Sequence, residues 1–271
     1  MKTRIISGIV LIVLLVAVLI AGSYFPIVLT AVLAALCVTG TYELLHGATG
    51  IKSRAALIAA GIYAAGAVFV RGGYTVKLPG DIGNFTALTV LYAVVAAVLT
   101  LVNHKDFETK HIFSLLAMPL LLGYAFSSLE SILNHRDGIY YFLLLLNFSS
   151  VCDMGAYFTG TLLGKHKLCP NISPKKTVEG AIGGIAWSLL ITVALCFGFS
   201  FSEKLLVTLL LTVPFCILGM IGDLFASAIK RTAGIKDYGN LIPGHGGVLD
   251  RVDSILMIVP AMMLLVDAGV L

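Results

Sequence analysis

The feature that most restricts this chain is a recurrence of apolar stretches, at about 5–22, 27–45, 53–70, 85–102, 111–129, 139–162, 178–200, 205–226 and 252–271. Each is close to the ~20 residues that a helix needs to cross roughly 30 Å of hydrocarbon. Only 12% of the residues are charged and 59% are hydrophobic, whereas soluble domains carry about 25% charged residues. The pattern predicts an all-α integral membrane protein, a polytopic bundle of about nine transmembrane helices. The breaks between stretches hold turn-forming residues, as at 23–26, 71–73 and 135–138. Lys2 and Arg4 ahead of the first stretch imitate a signal peptide, but that stretch outruns the usual ~7–15 apolar residues and no small-residue cleavage site follows it. It is read as a retained helix. With no linker and no clear repeat, 1–271 is expected to be a single membrane domain. Residues 1–138 supply helices of low motif content, and 139–271 hold the helices and loops that carry the motifs.

The basic residues set an orientation. With the N-terminus in the cytoplasm, the inner side carries Lys2, Arg4, Lys52, Arg54, Lys105, Lys110, Lys165, Lys167, Lys175, Lys176, Lys230, Arg231, Lys236 and Arg251, and the outer side only Arg71, Lys77, Arg136 and Lys204. Such a bias follows the positive-inside rule, and one miscounted early helix would scramble it. The loops at 163–177 and 227–251 are therefore expected to face the cytoplasm. A net charge of +4 with no Lys/Arg-rich run excludes nucleic acid as a partner. The five cysteines form no CxxC pair and no zinc spacing, and all but Cys169 lie in apolar segments and read as small buried hydrophobes.

Charged residues are few, so their clustering carries information. One window runs from Asp223 through Ser227, Lys230, Arg231 and Lys236 to His245, Gly246, Gly247, Asp250, Arg251 and Asp253. Asp223 is expected at the cytoplasmic end of the eighth helix, and Asp250 and Asp253 at the start of the ninth, one turn apart on one face. Asp223, Asp250 and Asp253 together would make a hard-oxygen site suited to Mg²⁺, and the glycines would let backbone approach a polyphosphate. A single aspartate would more simply cap a helix; the whole set with its glycine-rich turn favours phosphate handling. A second window holds Asp153, within an apolar segment where ionisable groups are costly and functional by default. It continues to Ser173, Lys175, Lys176 and Thr177, two hydroxyls and two cations just ahead of a helix, where anions are favoured.

The stretch SAIKRTAGIKDYGNLIPGHGGVLDRVD, from Ser227 to Asp253, agrees at every specified position with the signature S-x-[LIVMF]-K-R-x4-K-D-x-[GSA]-x2-[LIF]-[PG]-x-H-G-G-[LIVMF]-x-D-R-[LIVMFT]-D. It resembles the phosphatidate cytidylyltransferase (CDP-diacylglycerol synthase) family, and DMGAYFTGTLLGKHKLCPNISPKKTVEG, from Asp153 to Gly180, is similar to that family's second conserved block. The first 140 residues resemble it only in being hydrophobic. Members often carry a glutamate before the signature serine; here the position is Ala226.

The resemblance implies a nucleotidyltransferase of phospholipid biosynthesis, which transfers CMP from CTP to phosphatidic acid and gives CDP-diacylglycerol and pyrophosphate. It further implies Mg²⁺, with a second cation left open, and a multi-pass location in the inner (cytoplasmic) membrane with the site facing the cytoplasm. Expected catalytic residues are Asp223, Lys230, Arg231, Lys236, Asp250, Arg251 and Asp253. Expected substrate-binding residues are Asp153, Ser173, Lys175, Lys176, Thr177, Ser227, His245, Gly246 and Gly247. A homodimer is left open. Two other classes compete. A transporter would gather polar residues near the bilayer midplane, often within repeats. An enzyme transferring a phosphoalcohol from a CDP-linked donor would need the D-G-x2-A-R-x8-G-x3-D-x3-D pattern, which the sequence lacks.

Overall fold

The computed structural model describes residues 2–74 and 83–271; Lys77, counted above on the outer side, lies outside them. The described residues are helical almost throughout. In chain order the helices are α1 (Lys2–Tyr24), α2 (Pro26–Tyr42), α3 (Arg54–Arg71), α4 (Asn84–Val102), α5 (Thr109–Leu133), α6 (Gly138–Leu146), α7 (Cys152–Leu163), α8 (Val178–Gly198), α9 (Leu205–Thr232) and α10 (Leu249–Asp267). π-helical turns at Glu43–Ala48 and Asn147–Val151 follow α2 and join α6 to α7. The sixth apolar stretch is thus one span broken by a π turn, and the other eight stretches each correspond to one helix. Eight helical stretches among the described residues are long and apolar enough to cross a membrane. α10, 19 residues long, is not among these eight; its first turns carry Asp250, Arg251 and Asp253. The chain is an all-α polytopic membrane protein.

Two local features differ from the sequence reading. The eighth stretch does not stop near Phe225: α9 runs to Thr232, so Asp223 lies inside the helix and Ser227, Lys230 and Arg231 ride on its last turns. Residues 226–233 hold no Gly or Pro, Gly234 takes φ +70°, and cations near a helix C-terminus complement its dipole. The loop at 163–177 is also not irregular. It forms an antiparallel hairpin of β1 (Lys167–Cys169) and β2 (Ser173–Thr177), with Lys167 opposite Thr177 and Cys169 opposite Ser173.

The chain divides into two compact units, residues 1–134 with 233–252 and residues 135–232 with 253–271. In the first, an alanine stripe on α3 (Ala56, Ala60, Ala64, Ala67) is fully buried where α2 and α5 pack against that helix. Small residues let backbones approach when dispersion and hydrogen bonds, not water, drive helix association. Tyr63 stacks on Tyr92 with ring centroids 4.5 Å apart, and the Tyr92 hydroxyl donates to Leu115 O at 2.6 Å. In the second unit α7 packs along α8, and α8 against α9. A polar ladder links them. Asn147 Nδ2 donates to Ser188 O and Thr192 Oγ1, each at 3.0 Å, and Thr192 meets Thr212 Oγ1 at 2.9 Å. Hydrocarbon offers these groups no other partners.

Candidate active site

Within the second unit a cavity of about 690 Å³ opens between α7, the hairpin, α8 and α9. Asp153, Ser173, Lys175, Lys176, Thr177 and Asp223 all line it, beside Tyr157, Thr161 and Lys167. Its size lies in the ~300–1,000 Å³ range of small-molecule sites. Local structure explains the convergence. The π turn at Asn147–Val151 ends one residue before α7, and Asp153 stands in the first turn of α7. Thr177 ends β2 and caps α8, its Oγ1 accepting from Gly180 N at 3.1 Å. Glu179, in the first turn of α8, accepts from Lys165 N at 3.0 Å and contacts His166 Nδ1 at 2.6 Å, which fastens the base of the hairpin.

Lys176 Nζ meets Asp223 Oδ2 at 2.5 Å, with both side chains about one-quarter exposed. Asp153 lies within electrostatic reach of both. Farther along α9, Lys230 Nζ is 3.9 Å from Asp253 Oδ2. α9 and α10 touch closely here, since a Cβ on Gly222 would come within 3.0 Å of Asp253 O. The site therefore alternates cations and carboxylates around a pocket walled by hydroxyls and glycines, an arrangement that can hold a polyphosphate and offset its charge.

Signature residues 233–252 belong to the first unit. The stretch 242–245 is a tight turn, with His245 N donating to Ile242 O at 2.9 Å across Pro243 and Gly244. Pro followed by Gly at φ +78° suits a type II turn. Asp250 is buried, and its Oδ2 accepts from Tyr238 N at 2.8 Å and Gly247 N at 3.0 Å. Ser7 Oγ meets His245 Nδ1 at 2.8 Å. The open sides of Gly246 and Gly247 face carboxylates of their own unit: a Cβ would lie 2.7 Å from Asp250 Oδ2 at the first and 2.5 Å from both Glu43 oxygens at the second. Lys236 and Arg251 are exposed, as is Arg231 on α9; Ser227 is half-buried.

Among the described residues no group of three His, Cys, Asp or Glu side chains comes together to hold a metal. Asp153 and Asp223, facing one cavity with room for phosphate and water oxygens, fit Mg²⁺, which is commonly held by one or two carboxylates plus substrate phosphates. Tyr157, Thr161 and Lys167 lie within the Asp153–Gly180 stretch but are not among the site residues expected from the sequence, and neither is Glu43.

Apolar helices bearing a pocket of lysines, hydroxyls and carboxylates define a polytopic membrane protein equipped to bind phosphate groups. The sequence profile of the Cytidylyltransferase family matches residues 2–268, and the chain belongs to that family. It is similar to the phosphatidate cytidylyltransferase of Staphylococcus haemolyticus, at 34% identity over 208 residues, 76% of this chain and 78% of that protein. It is also similar to the one from Staphylococcus saprophyticus, at 32% identity over 203 residues, 74% and 78% of the two chains.

Proposed function

We propose that the protein transfers CMP from CTP to phosphatidic acid, giving CDP-diacylglycerol and pyrophosphate, at the cytoplasmic face of the inner membrane. The observation that carries this reading is the unit-two cavity, where Lys175, Lys176, Ser173 and Thr177 surround Asp153 and Asp223. A phosphate monoester is largely ionised near neutral pH, so its oxygen attacks the α-phosphorus of CTP without a strong base. The new P–O bond forms as the bond to the β-phosphate oxygen breaks, and the electron pair leaves with pyrophosphate. Catalysis of such a transfer rests on in-line positioning and on neutralising charge.

Lys175 and Lys176, with the Ser173 and Thr177 hydroxyls, bind phosphate oxygens and orient the chain of phosphates. Lys230 and Arg231, on the last turns of α9 in the same unit, are the cations proposed for the departing pyrophosphate and the lipid phosphate. Asp153 and Asp223, which line the same cavity, are the carboxylates proposed to hold Mg²⁺. When bound, the ion would supply positive charge against the triphosphate.

The test is pyrophosphate release from detergent-solubilised protein, offered phosphatidate with each nucleoside triphosphate in turn. Release that needs both phosphatidate and CTP is expected; release indifferent to lipid or to the base would overturn the proposal.

A further inference from the structure

Glu43 is one of six acids in the first 138 residues, and it is buried with 6% of its surface exposed. It begins the π-helical turn Glu43–Ala48 at the end of α2, some two hundred positions from the signature. Its Oε1 accepts from Val248 N and its Oε2 from Leu249 N, both at 3.0 Å. These N–H groups open α10, where a helix has no internal acceptors to offer. A carboxylate at that end is further favoured by the helix dipole.

The fit around the carboxylate is tight on two sides. A Cβ on Gly239 would stand 2.6 Å from Glu43 Oε1, and one on Gly247 would stand 2.5 Å from both oxygens. The same π turn brings Gly47 against the loop, where a Cβ would meet Tyr238 O at 2.8 Å. Asp250 holds the next donors, Tyr238 N and Gly247 N. Two carboxylates thus divide four consecutive or facing backbone donors of the signature loop between them. Glu43 fixes where α10 starts, and the start of a helix fixes the rotational position of its first turn, which carries Asp250.

We propose that Glu43 is a positioning residue for the signature loop: it sets the start of α10 and with it the aim of Asp250, without touching substrate itself. The inference rests on the reading of the signature as part of the cytidylyltransferase site. It explains why three glycines, at 47, 239 and 247, stand where any side chain would push this carboxylate or its turn away from the loop.

Glu43→Gln keeps the shape but replaces one acceptor oxygen with a donor, so one of the two α10 amides loses its partner. In the full-length protein in detergent, hydrogen exchange of the 244–252 segment is expected to quicken by about tenfold, with exchange in α3 and α5 unchanged. Turnover per folded molecule is expected to fall by about 10- to 100-fold, the scale of a misplacement on the order of 1 Å, while the KM for CTP moves by less than about threefold. Glu43→Asp, which restores both oxygens on a shorter stem, is expected to recover part of that loss. Should Glu43→Gln fail to fold, Gly239→Ala presses on the same carboxylate with its charge intact and supplies both readouts.

Wild-type turnover per folded molecule with only a lowered melting temperature would overturn the inference, since that is what a purely structural anchor produces. Exchange that quickens evenly across the unit would overturn it equally. An inactive wild-type protein would sink the enzymatic reading instead, and the exchange measurement would still decide whether Glu43 holds the loop.

Discussion

Asp250 and Asp223 are both signature-region carboxylates, yet their surroundings give them different sensitivities. Asp250 Oδ2 accepts two backbone donors, and an asparagine at this position can present its own oxygen to the same pair. Asp250→Asn is therefore expected to keep its fold, with a melting temperature within a few degrees of wild type, and to lose at least about 100-fold in turnover if the charge is what the reaction uses. Asp223 is paired to Lys176 at 2.5 Å. Asp223→Asn strands that ammonium, so stability should fall by about 1–3 kcal/mol along with activity. Adding Lys176→Met should restore the stability and not the activity; thermal unfolding and CTP turnover measured on the same preparations separate the two effects. At this scale six of the residues expected from the sequence, Asp153, Ser173, Lys175, Lys176, Thr177 and Asp223, line the cavity. Asp153 stood out because an ionisable group inside an apolar stretch demands a reason, and it lines the cavity. The same rule applied to the second stretch would have exposed Glu43. It was passed over because its partners, Val248 and Leu249, offer only backbone N–H groups, and a backbone donor leaves no mark in a sequence.

Helices α7 and α8 form the cavity wall through glycines. Gly180 faces Gly160 so closely that a Cβ on it would lie 2.7 Å from Ala156 O, and one on Gly184 would lie 2.5 Å from Cys152 O. Backbone oxygen cannot swing aside as a side chain can, so Gly184→Ala must part the two helices. The expected cost is about 1–3 kcal/mol in thermal unfolding, with reduced turnover because both helices line the site. Gly198→Ala, at the far end of α8 with nothing within 4 Å of its Cβ, should change neither and serves as the control. The small-residue spacings along these helices, Gly160/Gly164 and Gly180/Gly184, stand in the sequence itself. The hairpin at 167–177 is not legible there, because Lys-Leu-Cys and Ser-Pro-Lys-Lys-Thr lack an apolar alternation; what fixes it is the Glu179 carboxylate reaching back to Lys165 and His166.

For the whole molecule, the distribution of Lys and Arg supports the orientation proposed above, with the 163–177 loop on the cytoplasmic side. The cysteines offer a direct way to check it. Cys37, Cys152, Cys196 and Cys216 are buried, whereas Cys169, at the end of β1, is partly exposed. A membrane-impermeant maleimide should thus react at Cys169 and nowhere else among the five. In intact cells it should leave the protein unlabelled, and in inverted membrane vesicles it should label it; Cys169→Ser should abolish that signal. Arg136, exposed between α5 and α6 on the side expected to be outer, supplies the complement: Arg136→Cys in the Cys169→Ser background should label in intact cells. The two positions must report opposite sides, because α6, the π turn and α7 make one span of 26 residues between them. Labelling of Cys169 from outside would place Lys175 and Lys176 away from cytoplasmic CTP, and no rearrangement within the cavity would reconcile that with the proposed reaction.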